Sequence, residues 1–384
     1  MAARVTESLF PLGIEYGQND LISNPQTDGL SEVYEGFVIS TTPESRKVKV
    51  KQRITVKVAK NRNWRNGDEK KNNQSTQRTL LKELKGYEKL VNQLTKEGVK
   101  VSDIWQCIRE PLGRNNDQSA LLFTFYDHCL QSLLKLPDPG PNQHISASKQ
   151  ESEQGIMLAY LQLNFKNLML AILTPLNYLH RAGMLHCDIK PANYLFNSLL
   201  LPDSSPHIVL SDLGSWRRAN NPKDEKYGTT AQYRAPILWA HPTQASHATD
   251  LYSVAVLLVE IGLGRSCLHY ANGNPPIHAA FRSGTPRAAK VQATAAHVSD
   301  HTISDTELQE LIEQYKYIPF DKFECKYSSV LTNFLKRMAG DKRSTLNTPV
   351  TTEAALQWIQ QQNHDVFQSR SAATPTQHAS NTRS

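Results

Sequence analysis

Hydrophobic and polar positions alternate from Glu32 to Lys60, first in VYEGFVIS and then in KVKVKQRITVKVAK, with a break near Thr42-Pro43. Period-two alternation belongs to strands that cover one face, so two adjacent antiparallel strands are predicted. In the second, Val56 and Val58 point to one face and Lys57 to the other. The following stretch, Asn61 to Thr76, is polar throughout and reads as a loop. Apolar residues then recur at Leu80, Leu84, Tyr87 and Leu90, which is helical spacing and leaves Glu83 on the same helix.

Gln106 to Pro111 and Ser119 to Tyr126 read as two further strands. Proline and glycine in LPDPGPNQ and the polar SASKQESEQ mark a loop before a long amphipathic helix, Ile156 to Arg181. The apolar run Ile208 to Leu210 is a buried strand, and the turn-rich LLLPDSSPH before it is a hairpin tip. An apolar helix opens at Asp250, the stretch from Gly264 to about Thr302 has no clear periodicity, and a last helix covers Thr351 to Gln362. The ending QSRSAATPTQHASNTRS has the composition of a disordered tail.

Composition narrows the classes. With 384 residues, 39% of them apolar and 21% charged, the chain can bury a large core and hold roughly two average domains. Much of the excess behind the formal charge of +7 lies between Arg46 and Lys71, but aromatic residues are not regularly interleaved there, so nucleic acid is not an expected partner. Five widely spaced cysteines without a CxxC pair point to reduced thiols in an intracellular setting and to no zinc site. The first residues lack the apolar core of a signal peptide, and no apolar stretch is long enough for a membrane span.

The densest chemistry lies in LHRAGMLHCDIKPAN, Leu179 to Asn193. Asp188 can accept the proton of an attacking hydroxyl, Lys190 can neutralise charge on a moving phosphoryl group, and Asn193 can hold a metal ion. HIVLSDLG then delivers Asp212 to a turn at Leu213-Gly214. GTTAQYRAP, from Gly228 to Pro236, and the helix opened by Asp250-Leu251-Tyr252-Ser253 complete the order. Together these elements resemble the Ser/Thr protein kinase family, in its catalytic loop, its Asp-Phe-Gly metal-binding element (Leu213 standing for Phe) and the substrate-binding end of its activation segment.

That resemblance implies an α+β, bilobal protein-kinase-like fold: an extension over 1–20, a small β-rich N-lobe over 21–128, a larger, mostly helical C-lobe over 129–362, and a tail over 363–384. It implies ATP and Mg2+ as cofactors and a protein substrate with a Ser or Thr acceptor. Lys57 in ITVKV would hold the α- and β-phosphates, oriented by Glu83. Glu88 is the alternative, but choosing it would turn Asn92 and Thr95 toward the core. Asn193 and Asp212 would bind magnesium, Asp188 would orient the acceptor, and Lys190 with Thr230 would steady the γ-phosphoryl group. Leu195 would form the floor of the adenine site and Val33 its roof, with Phe123 or Thr124 at its border. His186 and Asp250 would be structural.

The chain also departs from the family. Gln26, Asp28 and Ser31 stand where a phosphate-cradling loop has glycines, Cys187 replaces the arginine before the catalytic Asp, and Ile237 replaces the glutamate that Arg343 would pair with. A pseudokinase scaffold is therefore the second reading, and a phosphotransferase acting on a lipid or small molecule, or a nucleotidyl transferase, the third. The expected setting is the inside of a cell, cytoplasmic, its own or that of a host. The oligomeric state is not specified by the sequence.

Overall fold

The computed structural model describes residues 13–15, 31–41, 49–59, 69–114, 120–134, 149–197, 207–219, 230–240, 243–267, 318–340 and 350–370. Two compact units account for them. The first joins the chain up to Leu130 with Ala171–Thr229 and Ala245–His247, and the second takes Gln131–Leu170, Thr230–Gln244 and the chain from Ala248.

In the first unit, strands β1 (Gly13–Glu15), β2 (Ser31–Thr41), β3 (Lys49–Ala59), β4 (Pro111–Arg114) and β5 (Ala120–Thr124) form a sheet in the order β1-β2-β3-β5-β4. β2 and β3 are the predicted antiparallel pair, with Val33 opposite Lys57. Alternation sorts their faces: Ile54 and Val56 pack with Ala120 and Leu122, flanked by Tyr34, Val58 and Leu112. Thr55 and Lys57, on the opposite face, are buried as well.

Helix α1 runs Glu69–Lys96, so the polar stretch predicted as loop is helical from 69 on. Its Glu, Lys, Asn and Gln residues carry no strong helix breaker, and they extend a helix whose later turns bury Leu80, Leu84, Tyr87 and Leu90. α2 (Val101–Trp105) follows, and the strand expected over 106–111 begins only at Pro111. Ile108 makes instead a lone parallel bridge to Leu210. Beyond β5 come β6 (His128–Cys129) and α3 (Leu130–Leu133).

The predicted helix over 156–181 is two helices, α4 (Lys149–Leu163) and α5 (Phe165–Arg181). The break falls at Asn164, whose backbone and side-chain amides both donate to the Tyr160 carbonyl, at 3.0 and 2.9 Å. β7 (Met184–Leu185), β8 (Tyr194–Phe196), β9 (Ile208–Leu210) and β10 (Arg217–Arg218) carry the motif segments, and α6 (Ile237–Ala240) follows.

The second unit centres on α7 (His247–Leu263), whose residues from Thr249 to Gly262 are buried. It is joined by α8 (Phe320–Lys326), α9 (Ser329–Met338) and α10 (Thr352–Gln361). Ser328 and Thr351 cap α9 and α10 by accepting from the Leu331 and Ala354 amides. Phe334 and Trp358 stack with centroids 3.8 Å apart. The expected disorder from 363 does not start there, because His364–Phe367 form a turn that buries Phe367 against Trp358. The expected hairpin tip before His207, the glycine-loop positions Gln26 and Asp28, the stretch 268–302, Arg343 and the tail from 371 lie outside the described residues.

Gly262 marks the tightest approach in this unit: a Cβ there would collide with the Phe323 ring and stand 3.2 Å from Tyr327. Both rings are fully buried and cannot swing aside. Gly262→Ala is expected to destabilise the protein by about 1–3 kcal/mol, seen as a lower urea midpoint at unchanged slope.

Candidate active site

Two short strands set the geometry. β8 and β9 pair antiparallel with Tyr194 opposite Leu210, so the residue before β8 and the residue after β9 come side by side. Those residues are Asn193 and Ser211: the Asn193 carbonyl accepts from the Ser211 amide at 2.8 Å and from its hydroxyl at 3.0 Å. Asp212 is next along the chain. The two candidate metal ligands, nineteen residues apart in sequence, thus arise at the base of one hairpin.

His186 ties the same base together. Its Nδ1 accepts the Asp188 amide at 3.2 Å, which puts the ring proton on Nε2, 3.1 Å from the Ser211 carbonyl that receives it. Asp188 is buried, and its carboxylate lies 2.9 Å from Lys190 Nζ. The Asn193 amide donates to the Asp188 carbonyl at 2.8 Å. Cys187 and Asp212 both take left-handed backbone, each with φ of 64°. For non-glycine residues that costs on the order of 1–3 kcal/mol each.

Lys57 reaches into this base from β3. Its Nζ lies 2.7 Å from Asp212 Oδ1 and 2.8 Å from Glu83 Oε2, so one ammonium joins the sheet, α1 and the segment after β9. Burial alone would discharge Lys57, but the carboxylates of Asp212 and Glu83 outweigh it and hold the ammonium charged. Burial likewise acts to raise Asp212, yet the Lys57 charge and hydrogen bond, then Lys190 and His186, keep its carboxyl well below the usual range. Glu83 is more deeply buried and its carboxyl is pushed up. Two carboxylates facing one ammonium leave the cluster short of positive charge.

The donor set fits a hard cation. Asp212 uses Oδ1 for Lys57 and the Gly214 amide, and among the described residues its Oδ2 has no donor. Asn193 donates through Nδ2 alone, which leaves its Oδ1 as a free acceptor among the same residues. One carboxylate oxygen and one amide oxygen at the same hairpin base are ligands that magnesium takes, completed by phosphate and water.

A clasp that the sequence reading did not contain fixes α1. Trp216 Nε1 donates to the Lys82 carbonyl at 2.8 Å, and its ring lies against Gly86, where a Cβ would come within 2.6 Å of it. Lys89 Nζ stands 5.1 Å above the ring. Gly86 is one helical turn beyond Glu83, so the indole locks the turn that presents Glu83 to Lys57.

Arg109 was also missed. Its Nε and Nη2 donate to the Thr124 carbonyl at 2.9 and 2.7 Å, and Nη2 also bonds Thr55 Oγ1. An arginine within a stretch that reads as a strand was the available signal. The other candidates are more scattered. Val33 and Leu195 are half-buried on β2 and β8. Thr230 belongs to the second unit, its carbonyl accepting from the Tyr233 amide at 3.1 Å. There Tyr233 and Gln232 donate to buried Glu260 of α7, each at 2.7 Å.

The family described as Protein kinase domain matches residues 46–350, about four fifths of the chain. The chain belongs to the protein kinase family. Its β-rich N-terminal part and larger helical remainder are the α+β, bilobal kinase fold. Similar kinases include Protein kinase gsk3 of Schizosaccharomyces pombe, 26% identical over 48% of this chain and 46% of that protein. Cyclin-dependent kinase 8 of Caenorhabditis elegans is 26% identical over 40% of this chain and 25% of its own length. The Probable serine/threonine-protein kinase gdt4 of Dictyostelium discoideum is 38% identical over 23% of this chain and 5% of its own length. The chain spans less than half the length of these relatives. Among the described residues of this kinase, no single helix is long and apolar enough to cross a membrane.

Gly86→Val is expected to displace Trp216 and draw Glu83 away from Lys57. The indole emission of Trp216 should shift toward that of an exposed ring. Amide exchange across residues 80–90 should rise at the same time, whereas Gly155→Ala, whose Cβ would meet nothing within 4 Å, should leave both unchanged.

Proposed function

We propose that this kinase transfers the γ-phosphate of ATP to a serine or threonine hydroxyl of a protein substrate, with magnesium, inside a cell. The observation that carries the reading is the convergence on one hairpin base of Lys57 at 2.7 Å from Asp212, the free oxygens of Asp212 and Asn193, and Asp188 beside Lys190 at 2.9 Å. Magnesium, when bound, neutralises phosphate charge.

Lys57, braced by Glu83, holds the α- and β-phosphates. Asp212 and Asn193, through the oxygens not used for Lys57 and Asp188, would hold the metal. Val33 and Leu195 enclose the base. Asp188 orients the acceptor hydroxyl and takes its proton as the oxygen bonds to the γ-phosphorus. The bond from that phosphorus to the β–γ bridging oxygen breaks, and the nucleoside diphosphate leaves with the electron pair. Lys190 and Thr230 offset charge on the moving group. Little covalent chemistry is asked of the protein, so positioning and electrostatics supply the rate. Lys190, two residues after Asp188, supports serine or threonine as acceptor.

A pseudokinase is the second reading, favoured by Gln26, Asp28 and Ser31 at the glycine positions. Intact-mass measurement after incubation with Mg-ATP and a generic protein acceptor separates the two. The catalytic reading expects whole-phosphate mass gains on the kinase or the acceptor, lost in Asp212→Ala and slowed roughly 10²–10⁴-fold in Asp188→Asn. No gain with any acceptor, or equal gains in Asp212→Ala, overturns it.

A further inference from the structure

The guanidinium of Arg109 is the second cation on the functional face of the sheet. Thr55 shares that face with Lys57 and lies two residues along β3, about 6.8 Å away. Arg109 caps the Thr55 end: Nη2 bonds Thr55 Oγ1, and Nε and Nη2 both donate to the carbonyl of Thr124, the last residue of β5. The Phe123 ring centroid lies 5.0 Å from the guanidinium carbon and that of Tyr126 6.0 Å, so the cation is held between aromatic side chains. Among the described residues Nη1 has no hydrogen-bond partner, which leaves two N–H groups for something else.

A nucleotide with its phosphates at Lys57 and the metal oxygens must run away from Asp212, and Thr55 is the next inward-facing position of β3 in that direction. Phe123 and Thr124, the residues expected to border the base, stand opposite Thr55 and Ile54 in the β3–β5 ladder. The base edge that reaches this end therefore meets a carbonyl whose two lone pairs are already taken and a guanidinium with donors to spare. An exocyclic amine finds no acceptor there and faces N–H groups. An exocyclic oxygen finds donors, and the edge that presents O6 with N7 is the one guanidinium groups pair with most readily.

Resting on the phosphotransfer reading above, we infer that the base slot of this kinase selects a 6-oxopurine, so that GTP serves as phosphoryl donor at least as well as ATP, with Arg109 as the specificity-determining residue. A site built with donors discriminates strongly against a ligand that lacks the matching acceptor. Arg109→Lys keeps the charge but loses the planar fork, so it should weaken the preference without reversing it.

The test compares kcat/KM for Mg-ATP, Mg-GTP and Mg-ITP in wild type, Arg109→Lys and Arg109→Val, beside direct binding of the non-hydrolysable analogues GMP-PNP and AMP-PNP. The expected result is GTP and ITP each equal to or better than ATP in wild type, with Arg109→Val moving the GTP-to-ATP ratio roughly tenfold or more toward ATP. ITP following GTP ties the effect to the 6-oxo group rather than to guanine's 2-amino group. The wild-type ratio decides even if Arg109→Val does not fold: ATP favoured tenfold or more over both others overturns the inference. A ratio unchanged in a folded Arg109→Val protein overturns it too. If no triphosphate gives transfer but GMP-PNP binds at least as tightly as AMP-PNP, the catalytic reading falls and the base selection stands. If neither analogue binds, both fall.

Discussion

One buried ammonium organises the first unit. Lys57 is the point at which the sheet, through β3, meets α1 through Glu83 and the segment after β9 through Asp212, at 2.8 and 2.7 Å. A buried cation is tolerated only if it is paired, and removal of Lys57 would leave Glu83 and Asp212 facing each other without the cation between them. The pairing therefore fixes the position of α1, and α1 is held there independently by Trp216 against Gly86. Asp212 is held at the same time in left-handed backbone.

Every polar atom of His186, Ser211 and the Asn193 backbone at the hairpin base is spent on holding the base together. Among the described residues, the oxygens left over are Asp212 Oδ2 and Asn193 Oδ1, the kind a hard cation takes. Strain at Cys187 and Asp212 belongs to the same pattern, since unfavourable backbone persists where surrounding bonds over-determine it. Cys187 keeps the left-handed conformation before Asp188 with a neutral, buried side chain. The loop is thus shaped by local hydrogen bonds centred on His186, and a charged residue at that position is not what holds it.

Much of this was legible in the chain because it is local. Alternation placed β2 and β3 and the inward Lys57, the four-residue stripe placed Glu83 rather than Glu88 toward the core, and the Asp-Lys-Asn spacing marked the loop before β8. Three things were not legible. The start of α1 was hidden because a polar run between Asn61 and Thr76 fits loop and helix equally until the buried turns that follow propagate it. The break at Asn164 falls inside an apolar pattern that runs on without interruption, so nothing in the spacing marks it. Trp216 with Gly86, and Arg109 with Thr55 and Thr124, are contacts across 130, 54 and 15 residues of chain, which no window of sequence can pair.

The most direct test of the central claim is a calorimetric titration of a non-hydrolysable purine triphosphate into the protein at increasing magnesium. Convergence of Lys57, Asp212 and Asn193 on one metal-bound triphosphate predicts affinity that rises with magnesium in wild type. Asp212→Asn, which removes the carboxylate and keeps its shape, should lose that dependence. Binding that ignores magnesium, or that is the same in Asp212→Asn, would contradict the account.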